Sequence, residues 1–171
     1  GEPNDTFAYL RVIKTVDETE GFYGLGEVFD DLNHRGKVRA MQIEADFLIE
    51  SANNEAHVPI PLLLGSSGWG VFYKTYYPSA FGVANESDDR VDFAVGLGTA
   101  FNEGLTFYIF TEQHPLDLTE HYFDVTGALK LPAEWAYGPW VWRDENQDQA
   151  QVINDLETIR SLDLATSGYW I

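Results

Sequence analysis

Leu131-Pro132-Ala133-Glu134-Trp135-Ala136-Tyr137-Gly138-Pro139-Trp140-Val141-Trp142-Arg143 packs aromatic and apolar residues between a Leu-Pro break and a charged end. Residues 135–142 read as a strand buried on both faces, because an apolar run of that length leaves no polar side for water. Asp148 stands where a helix N-cap is needed, and Val152, Ile153, Leu156, Ile159 and Leu162 follow at helical spacing as a stripe turned toward the sheet. Gln151, Asp155, Glu157 and Arg160 fall on the opposite, solvent face. Asp163-Leu164 closes the helix, and residues 165–171 read as a second strand. Strand, covering helix and strand form a βαβ unit, the connection that parallel neighbours require. The run stops at Ile171 with an unpaired sheet edge, so the chain is expected to be a piece of a larger protein. A complete eight-fold α/β barrel takes about 250 residues, and residues 132–171 of this 171-residue chain are expected to be only its opening.

Upstream the pattern changes. From Thr6 to Phe110, short runs rich in Phe, Tyr, Val and Ile are punctuated by Gly, Asn, Asp and Pro at intervals that suit an antiparallel β-sandwich. Strands are expected over residues 7–13, 47–50, 58–64, 70–76, 80–84, 91–95 and 105–110, with breaks such as Asn53-Asn54, Gly65-Ser66-Ser67-Gly68 and Asn102-Glu103-Gly104. A helical stretch after Pro115, carrying Leu116, Leu118, Tyr122 and Val125 and closed by Gly127, reads as a connector. The expected organisation is a sandwich over residues 1–113, a helical connector over 114–131 and the start of a barrel over 132–171.

Composition narrows the partners. Ten basic residues against 28 acidic ones leave a formal charge of −18, which repels nucleic acid and anionic lipid, so neither a polynucleotide nor a membrane surface is expected as partner. Such a charge assigns no compartment. The absence of Cys excludes disulfides, thiolate metal sites and a cysteine nucleophile. Eleven Phe, nine Tyr and five Trp suit sheet surfaces and sugar-stacking platforms alike, core packing accounting for most of them.

Gly21-Phe22-Tyr23-Gly24-Leu25-Gly26-Glu27 has the outline of a dinucleotide-binding loop, yet no strand–glycine loop–helix unit surrounds it and no long helix follows to receive a pyrophosphate; a tight turn between sandwich strands is the reading kept. His34, His57, His114 and His121 lack the spacing that puts two ligands on one helical face, and no metal is expected. Asn85-Glu86-Ser87 forms an N-glycosylation sequon on a loop. Trp140, Trp142, Arg143, Asp144 and Glu145 lie at the C-terminal end of the first barrel-type strand, where barrels place their sites. Indole faces stack on the C–H face of a pyranose, while Arg and carboxylate bind hydroxyls. The competing reading packs both indoles in the barrel core and pairs Arg143 with a neighbouring acid.

Gly24-Leu25-Gly26-Glu27 with Asn33 and Arg35-Gly36, Val58-Pro59-Ile60-Pro61, Gly68-Trp69-Gly70-Val71-Phe72, the 131–138 segment, Trp142-Arg143 and the tail from Leu164 to Ile171 together, in order and spacing, resemble glycoside hydrolase family 31, the α-glucosidase and α-xylosidase family. The resemblance spans roughly residues 20–171. It implies a galactose-mutarotase-like sandwich joined to a catalytic (β/α)8 barrel that cleaves α-glycosidic bonds with retention, without a cofactor. It also implies that both catalytic Asp residues lie beyond Ile171 and that the chain alone is inactive, its partners being an oligosaccharide or glycoside and the rest of its own barrel. Through the resemblance Asp46 corresponds to an acid on a sandwich loop that holds a sugar hydroxyl, and Asp144 stands where many α-glucosidases carry an aromatic. A transglycosylase, a lyase or a sulfosugar hydrolase of the same family, or a non-catalytic carbohydrate-binding sandwich, stays open at this point.

Overall fold

The computed structural model describes residues 9–28, 30–42, 58–96 and 104–171. By its internal packing the chain divides into two compact units, one ending at Gly127 and the next beginning at Ala128.

The first unit is built from eight strands: β1 (Tyr9–Thr15), β2 (Phe22–Glu27), β3 (Lys37–Met41), β4 (Val58–Gly65), β5 (Trp69–Lys74), β6 (Ser79–Val83), β7 (Arg90–Gly96) and β8 (Thr106–Thr111). They form two four-stranded antiparallel sheets, in the orders β1-β7-β6-β3 and β2-β4-β5-β8. Period-two alternation sends Val91, Phe93 and Val95 of β7 and Phe81 and Val83 of β6 into the space between the sheets. There they meet Phe22 and Leu25 of β2, Leu63 of β4 and Val71 and Tyr73 of β5. Tyr73 sits against both Phe81 and Phe93, and burial pushes its phenol up to about 12.

The continuous apolar run of β4 has a second cause. Leu62 and, on β8, Phe110 point away from the inter-sheet core and are covered by Leu118, which is wholly buried. Leu118 opens α1 (Leu118–Thr126), which follows a 3-10 turn at Pro115–Asp117 and ends at Gly127 with φ 97°. Tyr122 of the same helix meets Phe72 edge-on. The helical stretch expected as a connector therefore serves as a cover for the outer face of the second sheet.

Two strands were not expected. The 21–27 segment, read as a turn, is strand β2, paired with β4 through a bulge between Gly24 and Gly26. Gly24, Leu25 and Gly26 all have positive φ, and a Cβ at Gly26 would run into the carbonyl oxygen of Val58, so glycine is required there for close strand approach and not for a turn. Strand β3 was hidden by its charges, Lys37 and Arg39; Arg39 is nonetheless buried, its guanidinium donating to Asp30 Oδ1 at 2.7 Å and to His34 Nδ1 at 3.1 Å. The strand expected over residues 47–50 lies outside the described residues.

The second unit holds a 3-10 turn (Glu134–Tyr137), β9 (Trp140–Trp142), α2 (Gln149–Ser161) and β10 (Gly168–Trp170), with β9 and β10 parallel. The strand expected over 135–142 is thus only three residues long. Its first half winds into the 3-10 turn, closed by Ala136 N–H to Ala133 O and Gly138 N–H to Trp135 O, and Pro139 brings no N–H to extend the ladder backward. Nor is β9 buried on both faces here, since Trp140 and Trp142 are exposed and Val141 half-buried. Asp148 caps α2 as expected, accepting from Gln151 N–H at 2.8 Å. The helix is rotated from the expected phase: Gln151, Val152, Asp155 and Ile159 are its half-buried positions, while Ile153, Leu156 and Leu162 are exposed.

Candidate functional site

The parallel register sets Gly168 beside Trp140, Tyr169 beside Val141 and Trp170 beside Trp142. Alternation then sorts the side chains. Trp140, Trp142 and Trp170 share one face of the two-stranded sheet; Val141, Arg143 and Tyr169 occupy the other, the one that α2 covers. Trp140 is held in place: its indole lies over Gly168, where a Cβ would collide with the ring, and its Nε1–H reaches Ala136 O at 3.3 Å. Trp135 packs against it with ring centroids 5.7 Å apart. Trp142 and Trp170, 68% and 66% exposed, remain open.

On the opposite face Arg143 is engaged. Its Nε donates to Asp155 Oδ2 at 2.7 Å and its Nη2 to Asp155 Oδ1 at 2.8 Å, the bidentate geometry that suits a guanidinium and a carboxylate. Tyr169 donates its hydroxyl to the same Asp155 Oδ2 at 2.7 Å and contacts Asn146 Oδ1 at 3.2 Å, while Asn146 Nδ2 reaches Arg143 O at 3.4 Å. The Arg143 hydrogen bonds hold the Asp155 carboxyl below the usual Asp range, helped by Tyr169, and the bond to Asp155 raises the Tyr169 phenol. This cluster ties the ends of β9 and β10 to α2. Asp144 and Glu145 follow Arg143 on the loop into α2 and are exposed.

Of the residues singled out in the sequence, the structure brings Trp140, Trp142, Arg143 and Asp144 to one strand end, with Arg143 facing α2 and the two indoles facing away from it. Asp46 lies outside the described residues. Asp155, Tyr169 and Asn146 escaped the sequence reading: Asp155 was placed on the solvent face, and no spacing rule pairs it with an arginine twelve positions earlier. Among the described residues, no group of three or more His, Asp or Glu side chains converges as a metal site, and no helix is long and apolar enough to cross a membrane.

The first unit is thus a pair of four-stranded antiparallel sheets, and the second a parallel βαβ unit with an aromatic strand end. A family model described as the glycosyl hydrolase 31 N-terminal galactose mutarotase-like domain matches residues 2–81 of the chain. It is 27% identical over 143 residues to the α-xylosidase XylQ of Lactiplantibacillus pentosus, covering 84% of this chain and 18% of that protein. The isomaltosyltransferase of Sporosarcina globispora is 27% identical over 134 residues, covering 78% of this chain and 12% of its own length. The fold matches the cycloalternan-forming enzyme from Listeria monocytogenes, solved with a pentasaccharide substrate, at TM-score 0.78 and 21% identity over 94% of this chain and 15% of that one. The chain therefore spans less than a fifth of each of these proteins.

Proposed function

We propose that this chain is the sandwich and first barrel βαβ of a retaining α-glycosidase acting on α-linked glucosides, xylosides or related oligosaccharides. The parallel β9–α2–β10 unit after a galactose-mutarotase-like sandwich carries the reading, because it is where a barrel begins and where barrel sites are built from strand ends. An α-xylosidase and an isomaltosyltransferase among the relatives support α-linked sugars as the substrate class and leave hydrolysis and transfer as variants of one reaction.

In this reading Trp140 and Trp142 supply flat faces for pyranose rings and Asp144 accepts from sugar hydroxyls. Asp46 is proposed as a further acceptor for a sugar hydroxyl. Arg143, gripped by Asp155, contributes by fixing the strand end that presents Asp144. Retention demands two carboxyl groups about 5 Å apart across the anomeric centre, one attacking it and the other protonating the leaving oxygen. No acid of this chain matches the family's catalytic pair, so the pair belongs to the remainder of the barrel, and no cofactor enters the reaction.

The test is an assay of aryl α-glucosides and α-xylosides, run on the 171-residue chain and on a protein that continues it through a complete barrel. Turnover with retention in the longer protein alone is expected. Its absence there overturns the proposal. Tight calorimetric binding of isomaltose or maltotriose by the 171-residue chain alone would favour a carbohydrate-binding module instead.

A further inference from the structure

His34 and Arg39 are both 1% exposed, and neither belongs to the sugar site. A guanidinium has only donors, so the 3.1 Å contact from Arg39 Nε fixes His34 Nδ1 as an unprotonated acceptor. The proton then resides on Nε2, which donates to Gly24 O at 2.9 Å. That carbonyl belongs to the β2 bulge, where Gly24, Leu25 and Gly26 stand in the left-handed region. One neutral ring thus joins the bulge to β3. The remaining charged groups are arranged outside this pair: Asp30 accepts from Arg39 at 2.7 Å and from Lys37 at 2.9 Å, and Asp31 lies 3.4 Å from Lys37. Asp31 and Glu27 line the cavity of about 720 Å³ that adjoins the ring, to which β4 brings Val58 and Ile60.

We propose that His34 is an acid-sensitive latch on the sandwich, closed only while its imidazole is neutral and opening the β2 bulge from β3 when a second proton arrives. A proton on Nδ1 would set two donors 3.1 Å apart and two positive charges side by side in a buried place, so the Arg39 contact must break before the ring can charge. Asp30 cannot absorb the change, since its carboxyl, despite burial, is held far below the usual range by Arg39 and Lys37 and stays ionised and committed to them. Burial, ahead of the neighbouring charges, also keeps the His34 ring from charging as readily as a free imidazole.

The native ring resists its proton and the unfolded one does not, so the latch contributes in full above the ordinary His value of 6.5 and is lost as pH falls below it. One proton changes the folding constant by at most about tenfold per pH unit in that window. The test is a wild-type NMR titration of the 171-residue chain from pH 8 to pH 4. His34 should show a bare Nδ1 at pH 8 and charge below the ordinary His value of 6.5. The amide signals of Gly24, Leu25 and Gly26 should shift in step with it, while those of β7 stay put. A His34 that charges at or above 6.5, or without moving those amides, overturns the proposal. His34→Gln, which keeps one donor and one acceptor but cannot titrate, should flatten the urea midpoint between pH 7 and pH 5; the titration stands by itself if that variant fails to fold.

Discussion

Glu20 shows how a single side chain can organise a loop. It is 5% exposed, and its Oε1 accepts from Trp69 Nε1 at 2.6 Å, from Ser67 N at 3.1 Å and from the Ser67 hydroxyl. Removing the carboxylate strands three donors in a closed place, so Glu20→Ala should destabilise the sandwich by about 2–4 kcal/mol. Glu20→Gln, which retains an acceptor oxygen, should cost clearly less, and urea denaturation of both variants decides it. Equal losses would mean that packing and not acceptance is what Glu20 supplies. The sequence displayed Glu20 only as one acid among 28. Its role became visible once the β4–β5 turn folded back over it. Arg143 has the same character: its type and position were legible, but its partner Asp155 was not, because a separation of twelve positions carries no local rule of pairing.

At the scale of elements, periodicity was legible where one face alone is buried and misleading where burial is unusual. The alternation of β7 was readable because Val91, Phe93 and Val95 all enter the core. Strand β2 was missed because three glycines in seven residues signal a turn, whereas here they permit a bulge in a paired strand. Strand β3 was missed because a buried arginine breaks the apolar code. For α2 the cap was visible and the phase was not: a hydrogen-bonded Asp155 takes an inward position that hydrophobicity would have given to Leu156. Asp148→Ala removes the acceptor for Gln151 N–H and should cost about 1 kcal/mol of helix stability. Faster amide exchange across the first turn of α2, with the sandwich strands unchanged, is the expected measurement. An unchanged first turn would show that the Gln147–Gln151 contact suffices to hold it.

For the whole molecule, charge is the property that acts everywhere. With a net −18, like-charge repulsion outweighs the surface ion pairs such as Arg11–Glu86 and Arg90–Glu86, whose individual worth is small. Salt shortens the screening length from about 30 Å at 0.01 M to about 3 Å at 1 M, so the urea midpoint should rise with sodium chloride across that range. A falling midpoint would show that the ion pairs dominate. The sequence by itself determined the two-part plan, a β-rich first part and a βαβ tail, because turn residues and apolar periods are local signals that survive without knowledge of partners. Only the tertiary structure decided that α1 covers a sheet, that Arg39 and His34 share one buried contact, and that Arg143 turns toward α2 while Trp142 turns away. Each of those outcomes is a choice of neighbour that no local pattern specifies, even at the five-residue separation of His34 and Arg39, and the free energy that selects it arises only when the packed surfaces meet.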